Sequence, residues 1–400
     1  MSERSVRLRH LLAVVIGALL LAAGCAADEG DAFGPTADEE NTIAVAERFG
    51  PATAALSVVV EGELMLPPGL DISDVPEDIL PRLDLPPNQS SGSGFLIEAD
   101  GSRYVVTNFH VVMDAVDADS AELLDSATIT ATFGDDTTPH ELGVVGINPS
   151  FDLALLEAAV GAAPLPDVEP IPLADSDEVR VGQKAIALGN PFGLGTSLST
   201  GTISSTGRLV QSVGMVGIPM LQTDAAINPG NSGGALLDSS GRLIGVNTAL
   251  FNPEINAFAG IGFAVPSNLL AEALANLELG GVSTLTDTRP VFGAELLSVS
   301  TLPDEVRAEV GLPDAGAVIT RVVSGGSASD AGLATPDFAD VLGVPVPVDP
   351  NVIVAIDGEP VRDVKDVNLA ITYDADFGQT VTVTVWQGGA TRDVDVVLGR

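Results

Sequence analysis

The chain has 400 residues, 46% of them hydrophobic, so it can form the cores of roughly two to four domains and is not a wholly disordered polypeptide. Its 55 acidic residues outnumber 17 basic ones and give a formal net charge of −38. Such a chain repels phosphate backbones, which excludes nucleic acid as a general partner. The single cysteine, Cys25, allows neither an intrachain disulfide nor a cysteine-based metal motif, and we expect no metal and no other cofactor.

The first 25 residues predict an export signal. Three arginines precede the apolar run Leu11–Ala23, which is too short to span a membrane but typical of a secretory signal. The segment Leu21-Ala22-Ala23-Gly24-Cys25 resembles the lipobox of bacterial-type lipoproteins. This resemblance implies lipidation of Cys25, a membrane anchor and an extracytoplasmic location; a soluble secreted protein with an incidental cysteine is the alternative. Residues 26–42 are acidic and small, which predicts a flexible tether.

From Ile43 onward the hydrophobic pattern is mostly that of short strands. Ala127–Phe133 alternates threonine with apolar residues, and a Gly-Asp-Asp turn follows it. Further short strands are bounded by glycine, proline, asparagine and aspartate: Gly94–Ile97, Tyr104–Thr107, Leu153–Leu156, Lys184–Leu188, Gly201–Ser205, Leu243–Val246 and Gly262–Val265. Many short strands with turn signals between them predict a β-barrel or sandwich.

Composition divides the rest of the chain. Glu61–Gln89 contains six prolines and is predicted to be an exposed loop. A helix is predicted over Ser267–Leu279, with Ser267 as its N-cap and Gly280-Gly281 as its stop. The first folded domain then covers residues 43–281, a linker covers 282–290, and a second domain rich in strands covers 291–400.

Elimination identifies a candidate catalytic histidine. General bases near neutral pH are most often histidines, and His10 belongs to the predicted signal. His140 follows Thr137-Thr138-Pro139, so we expect it to be solvated in a polar turn. His110 stands at the end of an apolar strand, where its side chain can point into a cleft.

Ser232 is a candidate nucleophile because glycines flank it in Gly230-Asn231-Ser232-Gly233-Gly234. They leave room for a substrate carbonyl, and the amides of Gly230 and Ser232 can converge on an oxyanion. An α/β-hydrolase places its histidine after the serine, but no histidine follows residue 140. The order histidine, acid, serine is that of chymotrypsin-like enzymes. Asp152, at the start of an apolar strand, is the favoured acid.

Other aspartates compete with Asp152 for this role. They are Asp114, Asp175 and Asp177. We expect all three to be solvated acids in an acid-rich chain.

A set of motifs carries a family resemblance: Gly92-Ser93-Gly94-Phe95, Thr107-Asn108-Phe109-His110-Val111-Val112, Asp152-Leu153-Ala154-Leu155, Ala187-Leu188-Gly189-Asn190-Pro191-Phe192-Gly193, Gln222–Leu236 and Gly262-Phe263-Ala264-Val265-Pro266. Their order and spacing resemble the HtrA/DegP family of trypsin-like serine proteases. The resemblance implies a mainly β fold, a chymotrypsin/trypsin-like double six-stranded β-barrel followed by a PDZ domain of α+β type. It also implies that Ser232 is the nucleophile, His110 the general base and Asp152 its orienting partner. Unfolded proteins are the implied substrates, and a homotrimer is the implied assembly.

The second domain resembles the PDZ module of this family. Arg289–Ala294 is similar to its carboxylate-binding loop, Ser327–Leu333 to its Ala-Gly-Leu segment and Ile353–Gly358 to the next strand and turn. The resemblance implies that C-terminal peptides bind at four residues: Val291, Phe292, Gly293 and Ala294. The chain departs from the family at Ala294, where a larger apolar residue is usual, and by an apparent insertion between Ala334 and Asn351.

Substrate specificity is partly readable. In trypsin-like enzymes the floor of the primary pocket lies about six positions before the serine, which here is Ala226, without a carboxylate to attract lysine or arginine. The resemblance therefore favours cleavage after small or medium aliphatic residues. Candidate pocket walls are Ile227, Asn247, Thr248 and Ala249, although these residues could instead pack the second barrel. Other possible functions are a chaperone-like peptide-binding protein and a non-proteolytic hydrolase.

Overall fold

The computed structural model describes residues 34–61, 88–210, 218–228, 230–248 and 260–399. The predicted signal with Cys25, most of the predicted loop Glu61–Gln89, Pro229 and Ala249 lie outside these residues. The chain separates into two units, Met1–Ala44 and Val45–Arg400. Of the first unit the structure describes residues 34–44.

Six strands form the first barrel: β1 (Thr53–Val60), β2 (Asn88–Ala99), β3 (Ser102–Thr107), β4 (Ala127–Phe133), β5 (His140–Asn148) and β6 (Leu153–Ala158). Their order is β5-β4-β1-β2-β3-β6, and pairing between β5 and β6 closes the sheet. The alternation predicted for β4 is confirmed, since its apolar residues are buried while its threonines face outward or lie partly exposed. Large side chains such as Phe95 and Phe151 fill the interior.

Six more strands form a second closed barrel: β7 (Lys184–Gly189), β8 (Ser197–Val210), β9 (Ile218–Thr223), β10 (Ala235–Leu237), β11 (Leu243–Thr248) and β12 (Gly262–Pro266). Their order around the barrel is β10-β11-β12-β9-β8-β7. The predicted double six-stranded barrel is therefore confirmed. Every strand predicted from the sequence lies within a strand of the structure.

Among the described residues before the C-terminal domain and at its start, the helices are short. The α-helices are α1 (Ala37–Phe49), α2 (Phe109–Val112), α3 (Ser267–Leu277) and α4 (Leu285–Thr288). Single 3₁₀ turns occupy Gly50–Ala52, Met113–Ala115, Ser176–Glu178, Pro191–Gly193 and Val299–Thr301.

The predicted tether, residues 26–42, is wrong over its last six residues, because α1 begins at Ala37. A reciprocal capping box starts this helix. The Glu39 amide donates to Thr36 Oγ1 at 3.3 Å, and the Thr36 amide donates to the Glu39 carboxylate at 2.6 Å. Acidic residues in the first turn also suit the positive end of the helix dipole.

Helix α3 begins where it was predicted, but Ser267 does not cap it. Pro266 occupies the N-cap position, and the Ser267 hydroxyl donates to the carbonyl of Ala174 at 2.8 Å. The helix ends at Leu277, two residues before the predicted end. The Gly280 amide donates to the Leu277 carbonyl at 3.0 Å, so the glycines follow the last turn as the sequence suggested.

The segment predicted as a linker, residues 282–290, contains regular structure. Strand β13 (Gly281–Val282) pairs in parallel with β5, and α4 follows it. A capping box between Thr284 and Asp287 starts α4. The linker prediction overlooked this local signal.

The C-terminal domain has its own core and two sheets. Its strands are β14 (Ala294–Ser298), β15 (Ala317–Val322), β16 (Phe338–Val341), β17 (Val344–Pro347), β18 (Val352–Ile356), β19 (Glu359–Pro360), β20 (Thr380–Gln387) and β21 (Ala390–Val397). Its helices are α5 (Asp304–Val310), α6 (Ser327–Asp330) and α7 (Val364–Asn368), which continues as a π-helix over Leu369–Tyr373. The main sheet has the order β14-β15-β18-β20-β21. This arrangement agrees with the predicted PDZ domain, and the predicted insertion forms the hairpin β16–β17.

His140 is buried, which corrects the expectation of a solvated turn residue. It is the first residue of β5 and pairs with Ala131. Only 9% of it is exposed, and its ring meets Phe133 edge to face with centroids 5.5 Å apart. The strand begins at His140 itself, directly after the polar turn, and the alternation of the strand turns this side chain inward.

Candidate active site

His110 and Asp152 lie together at one end of the first barrel. Antiparallel pairing of β3 with β6 sets Thr107 opposite Ala154, so the residues just after β3 and just before β6 are neighbours. His110 Nδ1 lies 2.8 Å from Asp152 Oδ2, and the His110 backbone amide donates to Oδ1 at 2.9 Å. Asp152 is 2% exposed. The carboxylate thus binds one residue through both oxygens, which fixes the ring and favours the tautomer protonated on Nδ1.

An unusual backbone conformation directs the Asp152 carboxylate toward His110. Asp152 has a φ of +56°, a region that aspartate adopts more readily than most residues. Asn108 Nδ2 donates to the Asp152 carbonyl at 2.9 Å and to Thr248 Oγ1 at 3.1 Å. Asn108 is fully buried, and through Thr248 it also ties this loop to the second barrel. Asn108 stands two residues before His110 but was not among the predicted site residues.

The competing aspartates have other surroundings. Asp114 and Asp177 are exposed. The Asp175 carboxylate accepts from Asn268 Nδ2 at 2.8 Å and from the Asp177 amide at 3.0 Å, and these hydrogen bonds lower its pKa. Among the described contacts of His110, Asp152 is the only carboxylate partner.

Ser232 lies in a turn within the loop that connects β9 to β10 and is 5% exposed. Its carbonyl accepts from the Ser93 amide at 2.7 Å, and the next amide, that of Gly233, donates to the Asn247 carbonyl at 2.8 Å. Gly233 has a φ of +82°, and a Cβ there would lie 2.2 Å from both the Ser93 carbonyl and Thr107 Oγ1. Only glycine fits, so the flanking glycines of the motif have a packing reason as well as a functional one.

Gly230 precedes Ser232 by two residues and is buried, with a φ of +101°. The peptide unit between Gly230 and Asn231 separates the two amides that were predicted to bind an oxyanion. The Asn231 amide donates to the Asn228 carbonyl at 2.9 Å. This turn therefore has a fixed internal hydrogen bond.

The candidate specificity residues differ in their surroundings. Ala226 is partly exposed, and its carbonyl accepts from Ser199 Oγ at 2.9 Å. Ile227 is 5% exposed and belongs to the core of the second barrel. Asn247 Nδ2 donates to the carbonyls of Leu188 and Ala235. These contacts agree with the packing alternative for Ile227 and Asn247, and Thr248 is 1% exposed. The assignment of all these residues to the substrate pocket stays a prediction.

The predicted carboxylate-binding loop of the PDZ domain has its carbonyls engaged and its amides available. The Phe292 carbonyl accepts from the Ala328 amide at 2.9 Å, and the Gly293 carbonyl accepts from the Val323 amide at 2.8 Å. Within the described residues the amides of Phe292 and Gly293 donate to no acceptor. Ala294 starts β14, an edge strand of the main sheet.

Val291, the remaining candidate of this loop, is held from both sides. Its amide donates to the Gly399 carbonyl at 3.1 Å, and its carbonyl accepts from Ser327 Oγ at 3.0 Å. The Ser327 hydroxyl also accepts from the Gly399 amide at 2.9 Å. These bonds anchor the start of the loop to the end of the last strand.

Arg289, at the start of this loop, connects the two domains. Its guanidinium pairs with Glu272 on α3 and donates to the carbonyl of Tyr373 at 3.1 Å. Burial raises the pKa of Glu272, and the opposing attraction of Arg289 lowers it less. Burial also raises the pKa of Tyr373. Arg289 is therefore engaged within the chain.

The described residues lack two further kinds of feature. None of the helices there is long and apolar enough to cross a membrane. No group of three or more metal-ligating side chains is found in the same part of the chain.

Two closed barrels, with a buried aspartate that pairs with a partly exposed histidine and a glycine-flanked serine, define the trypsin-like class of serine proteases. A sequence profile described as "Trypsin-like peptidase domain" matches residues 92–246, which contain all three of these side chains. Protease Do-like 1, chloroplastic, of Arabidopsis thaliana is 36% identical over 313 residues, 78% of this chain and 64% of the relative. A probable periplasmic serine endoprotease, DegP-like, of Brucella suis is 33% identical over 311 residues, 77% of this chain and 52% of the relative.

Solved structures agree with these relatives. The HtrA-type protease AlgW with a decapeptide has a TM-score of 0.59 at 29% identity, covering 90% of this chain and 98% of that one. The same protease with a tripeptide has a TM-score of 0.58 at 28% identity, covering 90% and 96%. In both sequence and fold the chain is similar to serine proteases of the HtrA family. It spans only 64% and 52% of the two curated relatives named above.

We predict that Gly233→Ala destabilises the protein more than a positive φ alone explains. Gly161 has a φ of +84°, and a Cβ added there would meet no atom within 4 Å, so Gly161→Ala is the control and should cost about 1 to 2 kcal/mol. Gly233→Ala should cost about 1 to 3 kcal/mol more, because its Cβ overlaps backbone and side-chain oxygens. Denaturant unfolding of both variants measures the difference. Equal losses would contradict the packing described around Ser232.

Proposed function

We propose that this protein is a serine endopeptidase that degrades unfolded or misfolded proteins outside the cytoplasm. The observation that carries the proposal is the bidentate pairing of the buried Asp152 carboxylate with His110, 2.8 Å from Nδ1 and 2.9 Å from the backbone amide. An exposed ion pair would have little consequence. A buried carboxylate that orients an imidazole suits a general base.

The reaction follows the serine protease sequence. His110 removes the proton from Ser232 Oγ as that oxygen attacks the scissile carbonyl, and Asp152 stabilises the imidazolium that forms. The amides of Gly230 and Ser232 donate to the oxyanion of the tetrahedral intermediate. His110 then protonates the leaving amine, and a water molecule, activated by the same imidazole, hydrolyses the acyl-enzyme.

The substrate class follows from the pocket and the relatives. Ala226 provides no negative charge for a basic side chain, which favours cleavage after small or medium aliphatic residues. The solved relatives hold peptides of three and ten residues, which supports binding of extended polypeptide. The periplasmic name of the Brucella relative supports an extracytoplasmic location, and the lipobox at Cys25 would anchor the chain to a membrane there.

The PDZ domain would regulate this activity by binding C-terminal peptides. The available amides of Phe292 and Gly293 suit a terminal carboxylate, and the edge of β14 can accept a peptide as an added strand. A chaperone-like or peptide-binding protein with little proteolysis is the alternative that the first experiment separates.

We predict that purified full-length protein degrades unfolded β-casein, with cleavage after small or medium aliphatic residues identified by mass spectrometry. Ser232→Ala should lower kcat by about 10⁶-fold, because the nucleophile is lost. Asp152→Asn should lower it by about 10⁴-fold, because the imidazole loses its correct tautomer.

Asp114→Asn is the matched control, since Asp114 is an exposed acid four positions after His110. Its kcat should stay within about threefold of the original value. Folded protein without turnover would favour the peptide-binding alternative. Turnover that survives in Ser232→Ala would rule out the mechanism.

We predict that the PDZ domain recognises a free peptide carboxylate. In full-length Ser232→Ala protein, fluorescence polarisation should show that amidation of the peptide's C-terminus weakens its binding about tenfold or more. The reason is that hydrogen bonds to a charged carboxylate are lost. Gly293→Ala should weaken binding too, because Gly293 has a φ of +73° and a Cβ would lie 3.1 Å from Gly326 Cα.

Gly332→Ala is the control for backbone strain in the same domain. Gly332 has a φ of +80° with no atom near a Cβ, and it lies outside the proposed carboxylate loop. Equal affinities for the free and amidated peptides would count against carboxylate capture.

We predict that Cys25 anchors the protein to a membrane. In bacterial cells the original chain should sediment with membranes and carry a lipid-modified N-terminal cysteine by mass spectrometry. Cys25→Ala should leave the protein unlipidated. An unmodified mature chain in the soluble fraction would support the incidental-cysteine alternative.

A further inference from the structure

Ser93, on β2, lies fully buried between the two barrels and connects to the turn that carries Ser232. Its hydroxyl donates to the Gly230 carbonyl at 2.6 Å and accepts from the Asn190 amide at 2.8 Å. Its own amide donates to the Ser232 carbonyl at 2.7 Å. Its carbonyl accepts from Thr107 Oγ1 at 2.7 Å. Every polar group of Ser93 is therefore engaged.

The hydroxyl of Ser93 controls one particular peptide unit. The Gly230 carbonyl and the Asn231 amide belong to the same plane, and the amide end donates to the Asn228 carbonyl at 2.9 Å. With Ser93 Oγ on the carbonyl end, the plane is held at both edges. This plane stands between the amides of Gly230 and Ser232, so its rotation would change the angle between those two donors.

Gly230 offers little resistance of its own to such a rotation. It has no side chain, and its φ of +101° is one of many conformations open to glycine. The restraint must come from partners of the turn. A buried carbonyl without a hydrogen-bond partner is costly. Loss of the Ser93 hydroxyl would therefore favour rotation of the Gly230–Asn231 peptide, which would let the Gly230 carbonyl find another partner.

The contact is built closely around the serine. A Cβ on Gly189 would lie 3.0 Å from Ser93 Oγ and 2.6 Å from Asn231 Oδ1, so Gly189 leaves the space that this hydroxyl and the turn occupy. The neighbouring Asn190 amide supplies the donor that orients the hydroxyl. With its lone pair engaged, the hydroxyl hydrogen points to the Gly230 carbonyl.

We propose that Ser93 is a positioning residue for the oxyanion-binding amides, holding the Gly230–Asn231 peptide so that the amides of Gly230 and Ser232 converge. The inference rests on the proposed endopeptidase function. Because Ser93 is fully buried, its proposed role does not involve contact with the substrate. It acts on the alignment of donors that bind the transition state more strongly than the ground state.

The test compares Ser93→Ala with Thr107→Val in the full-length protein. Thr107→Val is the matched control. It removes a buried hydroxyl that donates to the Ser93 carbonyl, but it leaves the hydrogen bond from the Ser93 hydroxyl to the Gly230 carbonyl in place. Ser93→Ala should lower kcat about 10- to 100-fold, less than the loss of a whole oxyanion donor. KM and the pH dependence of kcat should not change, since binding and the His110–Asp152 pair are intact.

Thr107→Val should keep kcat within about threefold while its melting temperature falls as far as that of Ser93→Ala. A peptide aldehyde, which forms a hemiacetal in the oxyanion site, should lose affinity for Ser93→Ala in proportion to kcat/KM. Equal kcat losses in both variants, or an unchanged kcat in Ser93→Ala, would overturn the proposal. If Ser93→Ala does not fold, Ser93→Cys tests the same point with a weak thiol donor of similar shape.

Hydrogen exchange separates this inference from the proposed function, because it needs no turnover. The amide of Asn231, which donates to the Asn228 carbonyl, should exchange faster in Ser93→Ala, while those of β10 keep their original rates. Unchanged exchange in the turn would overturn the positioning role whatever the protein hydrolyses. If the protein without substitutions shows no turnover but the predicted exchange difference is seen, the positioning role of Ser93 is supported and the proposed endopeptidase function is refuted.

Discussion

The site depends on a buried carboxylate that gives both of its oxygens to one residue. Removing a charge from water is costly unless partners replace the solvent, and Asp152 is 2% exposed. The ring and backbone amide of His110 replace it, at 2.8 and 2.9 Å. The energetic need to satisfy this charge therefore fixes the orientation of the imidazole. The pairing of β3 with β6 and the positive φ of Asp152 are what make this contact possible.

Polar contacts between the barrels then bring the remaining parts of the site into register. Asn108 joins the Asp152 loop to Thr248 on β11, and Ser93 joins β2 to the turn of Ser232. Both side chains are fully buried, where an unmade hydrogen bond costs more than it does at the surface. The cleft is thus held by side chains that belong to one barrel and find their partners in the other. Arg289 has a similar part between the barrels and the C-terminal domain.

Local patterns carried much of the fold and the assignment of the site. Alternation gave β4 residue for residue, and the order of His110, Asp152 and Ser232 selected the chymotrypsin-like arrangement, whose Asp-His contact the structure contains. Errors arose where a local signal was weak or misread. Thr36 and Glu39 form a capping box inside a segment whose composition suggested a tether, and the strand at His140 begins directly after a polar turn.

Other features could not be read from neighbouring residues at all. Ser93 and Gly230 are 137 positions apart, and Asn108 and Thr248 are 140 positions apart. Such bonds exist only after both barrels have closed and packed. They therefore cannot be predicted from the periodicity or the spacing of residues in the sequence. Ser267 is a case in which a tertiary contact overrides a local prediction. Its hydroxyl, predicted to cap the helix, donates instead to the carbonyl of Ala174.

The most direct test of the account is covalent labelling with an alkyl fluorophosphonate, followed by mass spectrometry to locate the adduct. A serine activated by the His110–Asp152 pair should be labelled at Ser232 alone, and His110→Ala should abolish the adduct because the general base is gone. An adduct on a different serine, or equal labelling of Ser232 in His110→Ala, would contradict the account.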